Sequence, residues 1–338
     1  MDTTQLLNAL IARRDLSQKE AGEFLEGIMS GAVSPVQAGA ILTALRMKGE
    51  SASEVLGLIK TMRAKMLTVS APDAMDIVGT GGDGSGTFNI STTSAFVVAG
   101  AGVKVAKHGN RAASSKCGSA DVLEALGVKI ELTPEQAQRV FESAGIVFMF
   151  APTYHASMKQ VIAVRRELKV RTIFNVLGPF TNPAGTLRQL TGVPDSAIAG
   201  KLATVAKNLG YKHILIVSSM DGMDEVSTSA KTSCYDIRGT KCKKITIDPA
   251  KLGFKKAKKD ALRGGSKEEN ALMIRAILGG EKGAKRDVVV LNSACALYAG
   301  DAVPSIKDGI RLAVESIDSG RALKALGALI RESQKYHT

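Results

Sequence analysis

The stretch DIVGTGGDGSGTFNIST, from Asp76 to Thr92, runs from an apolar segment to a polar helix start and contains five glycines within eight residues. Glycine lets backbone amides approach an anion without an intervening side chain. The Asn-Ile-Ser-Thr sequence at its end predicts a helix N-terminus, where unpaired amides carry roughly half a positive charge. The stretch therefore predicts a strand, an anion-binding loop and a helix, which together form a unit of an α/β fold.

Two nucleotide-binding motifs resemble this loop, and neither fits. Gly79, Gly81 and Gly84 match the dinucleotide fingerprint G-x-G-x-x-G. That fingerprint also needs a carboxylate about twenty residues further on to hold the ribose, where this sequence has Lys104 and Lys107 instead. A Walker A loop would end in Gly-Lys-Ser or Gly-Lys-Thr, and this loop does not. A phosphate or pyrophosphate ligand remains, with an ordinary glycine-rich turn as the alternative.

A second donor-rich loop follows the next predicted strand, VKVA. It reads KHGNRAASSKCGSADVLEALG, from Lys107 to Gly127, and we expect its helix to begin near Ser119. Its lysine and arginine supply charge, and its serines supply hydroxyl donors. Two anion-binding loops at the ends of neighbouring strands predict one ligand with phosphates at both ends. A solvated basic loop is the alternative interpretation.

A third loop, MDGMDEVSTSA, follows the apolar segment HILIVSS and carries the adjacent carboxylates Asp224 and Glu225. Mg²⁺ commonly binds one or two carboxylates when phosphates and water supply its other ligands. Because a polyphosphate ligand is already inferred, we expect a Mg²⁺ site here, with Ser91 as an additional oxygen ligand. Paired carboxylates also occur on loops that bind no metal.

The periodicity divides the chain into a helical part and an α/β part. Residues before Met66 have helical spacing, with capping boxes at Ser17, Ser34 and Ser51. Beyond Asp76, short apolar segments alternate with helical ones, which predicts a mostly parallel central sheet flanked by helices. The segments that we predict as strands are DIV, VKVA, VKIEL, IVFMF, HILIVS and DVVVLN. The segment from His155 to Gly185 interrupts this alternation with helices and a Pro-rich turn, and we expect it to pack against the N-terminal helices.

Length and composition are those of a globular protein of about two domains, since the chain has 338 residues and is 45% hydrophobic. Its N-terminus does not resemble a signal peptide, and its longest apolar run, Ala95 to Val103, is too short to span a bilayer. The four cysteines are scattered without a CxxC pair. We therefore expect reduced thiols, a cytoplasmic location and no membrane partner.

The formal net charge of +13 is concentrated in one segment, Lys231 to Arg286, which has 16 basic and 6 acidic residues. Such a segment is compatible with nucleic-acid binding. However, its only aromatic residues are Tyr235 and Phe254, so bases would have little to stack on. A solvated face that helps to attract an anionic small molecule is the simpler interpretation, and the composition disfavours a nucleic-acid partner.

Five motifs together resemble those of the anthranilate phosphoribosyltransferase family, and the similarity extends over essentially the whole chain. The motifs are GTGGDGSGTFNIST, KHGNRAASSKCGSADVLEALG, APTYHASMKQVIAVRREL, RTIFNVLGPFTNPA and DGMDEVS. The resemblance implies a small helical domain at residues 1–70, completed by an insertion at about 153–185. It also implies an α/β domain at residues 73–152 and 186–338 that binds 5-phosphoribosyl 1-diphosphate, and a homodimer.

The resemblance further implies a reaction of tryptophan biosynthesis in which the phosphoribosyl group passes to the amine of anthranilate, with release of pyrophosphate and with Mg²⁺ as cofactor. The positions that match the family's donor-binding motifs are Gly79, Gly82, Asp83, Thr87, Asn89, Ile90, Ser91, Thr92, Lys107, His108, Gly109, Asn110, Arg111, Ala112, Ala113, Ser114, Ser115 and Ser119. The metal positions are Ser91, Asp224 and Glu225, and the anthranilate positions are Gly79, Asn110, Arg165 and His155.

Residue chemistry adds roles to these positions. A planar guanidinium suits a carboxylate, so we assign the anthranilate carboxylate to Arg165 rather than to its neighbour Arg166. We assign His108 and Asn110 to orienting the amine, or for His108 to accepting its proton late, because an arylamine needs no strong base. No residue stands out as a covalent nucleophile. The sequence departs from the family pattern at Ala156, Cys117 and Phe180, none of which removes a donor group used above.

Two other functions remain as alternatives. A pyrimidine nucleoside phosphorylase shares the general architecture, but we expect a Lys-Met-Ser-type sequence in its second loop, and it needs no paired carboxylates. A nucleic-acid-binding relative that has lost catalysis is suggested by the basic segment. It is disfavoured because Arg165, Asp224 and Glu225 are all present.

Overall fold

The computed structural model describes residues 2–112 and 116–336, with Lys259 described by its backbone alone. Ala113, Ser114 and Ser115, which the resemblance places in the donor site, lie outside the described residues. Among the described residues, no helix has both the length and the apolar character that crossing a bilayer requires.

The described part of the chain forms fifteen α-helices and seven β-strands. The helices are α1 (Thr3–Ile11), α2 (Gln18–Ser30), α3 (Pro35–Lys48), α4 (Ala52–Lys65), α5 (Ile90–Gly100), α6 (Ser119–Ala125), α7 (Pro134–Ala144), α8 (Ala151–Tyr154), α9 (Lys159–Leu168), α10 (Phe174–Leu177), α11 (Ser196–Asn208), α12 (Lys267–Leu278), α13 (Ala284–Ala299), α14 (Ile306–Asp318) and α15 (Arg321–Gln334). The strands are β1 (Met75–Gly79), β2 (Val105–Gly109), β3 (Ile146–Phe150), β4 (Arg188–Gly192), β5 (His213–Ser219), β6 (Thr232–Arg238) and β7 (Lys241–Ile247).

Capping boxes begin the helices α2, α3 and α4, as the sequence predicts. In α2, the Ser17 hydroxyl accepts a hydrogen bond from the Glu20 amide, and the Glu20 carboxylate accepts one from the Ser17 amide. Each box satisfies two amides that the first turn of a helix leaves without partners. Gly31 and Gly49, both with positive φ, end α2 and α3 at the expected positions.

The seven strands form one sheet in the order β3-β2-β1-β4-β5-β6-β7. The pairings from β3 to β5 are parallel, and β6 and β7 add two antiparallel pairings at one edge. The prediction of a mostly parallel sheet flanked by helices is therefore confirmed.

Two of the strand predictions are wrong. DVVVLN lies inside α13, where nearly every side chain is buried, so an apolar run of this length could not distinguish a buried helix from a buried strand. VKIEL forms no strand; the Lys129 amide donates to the Ser333 hydroxyl instead of joining the sheet. Strands β4, β6 and β7 were not predicted, because their polar residues hide the pattern.

Two buried clusters lie on opposite sides of the sheet. The larger one packs α5, α7 and α12–α15 against the strands. The other joins α1–α4 to α9, α10 and α11. Helix α9 contacts both α2 and α3, as expected for the segment that interrupts the α/β alternation.

Candidate functional site

Three loops meet at the carboxyl ends of parallel strands. The glycine-rich loop leaves β1 at Gly79, the second loop leaves β2 at Gly109, and the acidic loop leaves β5 at Ser219. Carboxyl ends of parallel strands lie at the same edge of a sheet, where ligands of open α/β folds bind. The acidic loop starts two strands away from β1, because β4 lies between β1 and β5.

Two glycines let the acidic loop cross the end of β4. Gly192, the last residue of β4, pairs in register with Gly79 of β1. A Cβ atom on Gly192 would overlap the backbone carbonyl of Asp224, and a Cβ atom on Gly79 would overlap the Asp224 carboxylate. The absence of both side chains lets Asp224 reach the glycine-rich loop, where one of its oxygens accepts a 2.6 Å hydrogen bond from the Gly81 amide.

The glycine-rich loop has a backbone that other residues would adopt only under strain. Gly81, Gly82, Gly84 and Gly86 all have φ between +64° and +73°. Asp83 closes a turn inside the loop by accepting a hydrogen bond from the Ser85 amide at 3.1 Å. The second half of the loop is held by a short bridge to the segment after Leu262, where the Gly264 amide donates to the Gly86 carbonyl at 2.9 Å.

Arg171 holds the outer side of this loop. Its Nη1 donates to the Gly82 carbonyl at 2.5 Å, and its Nη2 lies 3.4 Å from the Gly81 carbonyl. Arg171 lies between α9 and α10, so the contact joins the helical part of the molecule to the glycine-rich loop.

The acidic pair lies beside the N-terminus of α5. Glu225 accepts a 3.1 Å hydrogen bond from the Ser91 amide, which places the Ser91 hydroxyl next to this carboxylate. Burial, followed by the charge of Asp83, raises the pKa of Asp224 to about 7. Burial, followed by the charge of Asp224, raises the pKa of Glu225 to about 8. Crowded carboxylates of this kind are destabilised as anions and favour the binding of a cation.

A magnesium ion fits this donor set. Among the described residues, no group of three or more His, Cys, Asp and Glu side chains has metal-binding geometry. Mg²⁺ does not require one, since it completes its shell with water and substrate phosphate oxygens. Asp224, Glu225 and the Ser91 hydroxyl are all oxygen donors, and each carboxylate has one oxygen that does not accept the loop or helix amide.

Lys107 is a buried cation in the floor of the site. Its side chain is 4% exposed; its ammonium donates to the Ile77 carbonyl and lies 3.5 Å from the Ser91 hydroxyl. Burial lowers the pKa of Lys107, and the negative charges of Asp76 and Glu225 oppose that shift. The ammonium therefore lies between the acidic pair and the strand that leads into the glycine-rich loop.

Asp76 interacts electrostatically with Lys107 and is hydrogen-bonded by Asn182. Asp76 is completely buried on β1 and accepts a 2.7 Å hydrogen bond from the Asn182 amide group. The same amide group donates to the Ala106 carbonyl on β2 at 2.8 Å. Burial raises the pKa of Asp76 to about 6. Asn182 thus ties the end of the interrupting segment to both strands that carry donor-site loops.

The second loop is organised by Asp121 of α6. One Asp121 oxygen accepts hydrogen bonds from the amides of Ala112 and Gly118, at 2.9 and 2.8 Å. Arg111 pairs with Asp121 and Glu124 and lies over the Phe150 ring, 5.4 Å from its centroid. The guanidinium of Arg111 is therefore engaged by α6, and only a change of partner would free it for a phosphate.

Other positions that the resemblance assigns to donor binding also have protein partners. The Asn89 side-chain amide donates to the Cys117 carbonyl at 3.1 Å, and the Asn270 side-chain amide donates to the Asn89 side-chain oxygen at 3.0 Å. Ser119 donates to the Asn110 carbonyl at 3.2 Å. Ile90 and Thr92 are buried within α5, and Thr87 forms the short bridge to Arg263. These contacts fix the shape of both loops.

Two histidines lie side by side, His108 on β2 and His155 directly after α8. The rings of His108 and His155 are 5.1 Å apart between centroids, and His155 Nε2 lies 3.1 Å from the Thr181 carbonyl. Burial, with His155 as the second cause, lowers the pKa of His108 to about 3. Burial also lowers the pKa of His155. Both rings are therefore neutral at pH 7, and His108 is a weak base.

Arg165 is partly buried, with its guanidinium carbon 5.8 Å from the centroid of the Phe174 ring. Burial lowers its pKa, and none of the described side chains forms an ion pair with it. Arg166, its neighbour, is exposed. The two adjacent arginines therefore differ in burial, and the assignment of Arg165 to anthranilate stays a prediction.

Part of the basic segment contacts the glycine-rich loop, through Arg263 and Gly264, and another part forms the far edge of the sheet. Lys241, Lys243 and Lys244 are exposed on β7, the edge strand of the sheet. β7 is four strands from β1, or about 19 Å at roughly 4.8 Å per strand. Lysines on an edge strand discourage pairing with other chains. This placement agrees with a solvated face.

Sequence reasoning missed four residues: Arg171, Asp76, Asn182 and Gly192. Asp76 begins a predicted strand and carries no motif of its own, although an acidic residue on a buried strand requires a partner. Asn182 and Arg171 lie in the motif RTIFNVLGPFTNPA without any local signal of their contacts. Gly192 ends a strand that was not predicted.

Comparisons with known proteins agree with this geometry. The helical bundle domain of the glycosyl transferase family matches residues 4–66, and the a/b domain of that family matches residues 71–323. Anthranilate phosphoribosyltransferase from Dehalococcoides mccartyi is 49% identical over 98% of this chain and 98% of its own length. The Thermus thermophilus anthranilate phosphoribosyltransferase structure has a TM-score of 0.90 and 40% identity, covering 97% of this chain and 99% of its own.

Structures of the Saccharomyces cerevisiae enzyme are also similar. One, in complex with PRPP (5-phosphoribosyl 1-diphosphate) and Mg, has a TM-score of 0.91 and 27% identity over 98% of each chain. Another, in complex with 4-fluoroanthranilate, has a TM-score of 0.88 and 27% identity over 99% of each chain. On this evidence, the chain belongs to the anthranilate phosphoribosyltransferase family.

Proposed function

We propose that this chain transfers the phosphoribosyl group of PRPP to the amine of anthranilate, giving N-(5-phosphoribosyl)anthranilate and pyrophosphate. The observation that carries the proposal is the convergence of the glycine-rich loop, Lys107 and the Asp224–Glu225 pair at one edge of the sheet. That arrangement combines amide donors, a buried cation and metal-binding carboxylates, which are the groups that a diphosphate leaving group requires. We propose that the reaction belongs to tryptophan biosynthesis.

The donor lies across the first two loops in this proposal. Its binding residues are Gly79, Gly82, Asp83, Thr87, Asn89, Ile90, Ser91, Thr92, Lys107, His108, Gly109, Asn110, Arg111, Ala112, Ala113, Ser114, Ser115 and Ser119. The four positive-φ glycines and the start of α5 support the phosphate-binding role of the first loop. Arg111 would take part only after exchanging its carboxylate partners on α6 for a phosphate.

Ser91, Asp224 and Glu225 would hold Mg²⁺. Bound there, the ion would neutralise charge on the diphosphate as it leaves. Lys107 adds a fixed positive charge on the same side, held in place by the Ile77 carbonyl. The protein therefore concentrates its cationic groups where negative charge develops in the transition state.

Anthranilate lies between the second loop and α9 in this proposal, in contact with Gly79, Asn110, His155 and Arg165. Arg165 binds the carboxylate, which suits a partly buried guanidinium without a carboxylate partner among the described residues. Asn110 and the neutral His108 orient the amine. The low pKa of His108 favours this orienting role over the acceptance of a proton.

The chemical step then needs little from the protein beyond positioning. The anomeric C–O bond to pyrophosphate breaks and the amine nitrogen forms the new C–N bond. After attack the amine passes one proton to the departing pyrophosphate or to water. Holding the two reactants in line contributes about 7–11 kcal/mol in well-oriented reactions. No covalent intermediate on the protein is involved.

We propose that residues 1–70 with 153–185 form the helical domain, and that the rest forms the α/β domain. One buried cluster packs α1–α4 with α9 and α10, which supports this division, and it continues through α11 and Ile214 as the contact between the two domains. We also propose a cytoplasmic location, which the buried thiols of Cys234 and Cys295 would suit.

A homodimer through the helical domain is part of the proposal. A groove with a volume of about 550 Å³ lies between α1, α3 and α9. It is lined by three exposed apolar side chains: Ile11 (68% exposed), Val36 (83%) and Met47 (78%). Large apolar side chains concentrated on one face favour a second copy as their cover. Val36→Glu with Met47→Glu should give a monomer by analytical ultracentrifugation, whereas Leu272→Glu on α12, which is 68% exposed, should not. A wild-type monomer would contradict the dimer.

The direct test of function is the loss of anthranilate fluorescence in the presence of PRPP and Mg²⁺. We expect turnover that a chelator abolishes. Turnover from a pyrimidine nucleoside and phosphate without Mg²⁺ would identify a nucleoside phosphorylase instead. Absence of turnover together with tight, steeply salt-dependent DNA binding would identify a nucleic-acid-binding relative.

A further inference from the structure

We propose that Arg171 is a positioning residue that aims two amides of the glycine-rich loop at the donor's diphosphate and couples this loop to the segment that binds anthranilate. The inference rests on the proposed function. It adds a role for Arg171 that neither the charge pattern nor the motifs of the sequence indicate. It starts from one contact: the Arg171 guanidinium spans the carbonyls of Gly81 and Gly82.

Peptide geometry converts this contact into an orientation. The Gly81 carbonyl shares a planar peptide with the Gly82 amide, and the Gly82 carbonyl shares one with the Asp83 amide. In a trans peptide the carbonyl and the amide point in opposite directions. When Arg171 binds both carbonyls, the amides of Gly82 and Asp83 must therefore face away from it, towards the inside of the loop.

These two amides are available to a ligand. The Gly81 amide is taken by Asp224, whereas the amides of Gly82 and Asp83 have no hydrogen-bond partner among the described residues. Other contacts hold the ends of the loop, but without Arg171 these two peptides would have no described hydrogen bond to fix their orientation, since Gly81 and Gly82 are exposed and glycine rotates freely. Ordering such a backbone costs conformational entropy, which the binding of the donor would have to offset.

Arg171 itself starts from a rigid turn. The Thr172 amide donates to the Asn175 side chain at 2.9 Å, and the Asn175 amide donates to the Thr172 carbonyl at 3.0 Å. The turn leads into α10, and Arg171, which directly precedes it, lies six residues after Arg165. The position of the acceptor-binding segment is therefore transmitted to the donor loop through one side chain.

The fit between Arg171 and the loop is close. A Cβ atom on Gly82 would lie 2.5 Å from Arg171 Nη1 and 2.9 Å from its Cζ. Gly82 thus has two reasons to be glycine, its positive φ of 73° and the approach of the guanidinium.

The test compares Arg171→Met and Arg171→Lys with Arg166→Met, which removes an exposed arginine five residues away on α9. PRPP binding is measured by calorimetry with Mg²⁺ and without anthranilate. Losing charge-assisted hydrogen bonds of this kind should raise the Kd of Arg171→Met about tenfold or more. Arg171→Lys should recover only part of that loss, because an ammonium lacks the planar fork that spans two carbonyls. Arg166→Met should bind as the wild type does.

A readout without ligand separates positioning from a direct charge effect. Early hydrogen–deuterium exchange in the peptide that covers residues 76–88 should be faster in Arg171→Met than in the wild type, while the Tm stays the same. Unchanged exchange, unchanged PRPP affinity, or full recovery of PRPP affinity by Arg171→Lys would each overturn the inference. If the wild type does not bind PRPP, both the proposed function and the role of Arg171 are wrong. If the wild type binds PRPP and Arg171→Met binds it equally well, only the role of Arg171 is wrong.

Discussion

Gly192→Ala should displace the acidic loop, because this glycine is the point at which Asp224 crosses β4. A Cβ atom there would overlap the Asp224 backbone carbonyl and lie 3.3 Å from its Cα atom. The obstacle is backbone rather than a mobile side-chain end, so the loop or the strand must move. Gly192 does not have positive φ, which means that the effect is steric and not conformational.

The expected magnitude follows from overpacking. Forcing an extra carbon into a packed region typically costs about 1–3 kcal/mol. An unfolding entropy of about 2.1 cal/mol/K per residue over this chain gives roughly 0.7 kcal/mol/K, so the Tm should fall by about 1.5–4 °C. Activity should fall further, since a shift of about 1 Å in a group that positions the reaction can cost about 100-fold.

The assay pairs thermal unfolding with Mg²⁺ titration of turnover. Gly192→Ala should show a lower Tm, a lower kcat/KM for PRPP and a higher Mg²⁺ concentration at half-maximal rate. Gly327→Ala is the matched control, because Gly327 lies within α15 with no atom within 4 Å of the added carbon. It should raise stability by about 0.5–1 kcal/mol and leave turnover unchanged. A Gly192→Ala variant with wild-type Mg²⁺ dependence would refute the reasoning about the loop crossing.

Three further predictions concern the metal site, the acceptor site and the helical domain. Protons compete with Mg²⁺ for the carboxylates of Asp224 and Glu225, whose pKa values are raised to about 7 and 8. The Mg²⁺ affinity should therefore rise with pH through this range and level off above it. Calorimetry with PRPP present measures this affinity, and a constant value between pH 6 and pH 9 would contradict the prediction. Arg165→Lys should raise the KM for anthranilate about tenfold or more, with little change in the KM for PRPP, because one bidentate contact is lost. Steady-state kinetics test this, with Arg166→Lys as the control variant. An effect on the KM for PRPP alone would be inconsistent with the assignment. Glu54→Ala should lower the free energy of unfolding in urea by about 3 kcal/mol, because the buried Leu16 amide loses its acceptor and Lys48 keeps only Asp15 as a carboxylate partner. Glu20→Ala, at the equivalent position of α2, should cost about 0.5–2 kcal/mol, and equal losses would argue against a special cost of burial.

Much of the site could be predicted from the sequence because its binding groups lie within short segments. Gly79 to Thr92 contains a strand end, four positive-φ glycines and a helix start within fourteen residues. The capping boxes of α2–α4 are equally local, since each needs only a residue and its third neighbour. Local rules of this kind depend on backbone conformation and need no knowledge of the rest of the chain.

The strands that were missed show the limit of these rules. In β4, β6 and β7, polar residues such as Gln189 and Asp236 satisfy their hydrogen bonds with distant partners, so they break the apolar alternation without breaking the strand. The opposite error occurred in α13, where an apolar run is buried as a helix. Burial rewards apolar residues in both structures, so composition alone cannot separate them.

The amino-acid sequence alone determined where the three candidate binding loops lie and where the helices α2, α3 and α4 begin. Only the tertiary structure decided how these parts are held: Arg171 on the glycine-rich loop, Asn182 on the buried Asp76, and Gly192 beneath the acidic loop. Asn182 and Asp76 are 106 residues apart in the chain. Contacts over such separations depend on strand order and register, which arise from the packing of the whole sheet and leave no local pattern in the sequence.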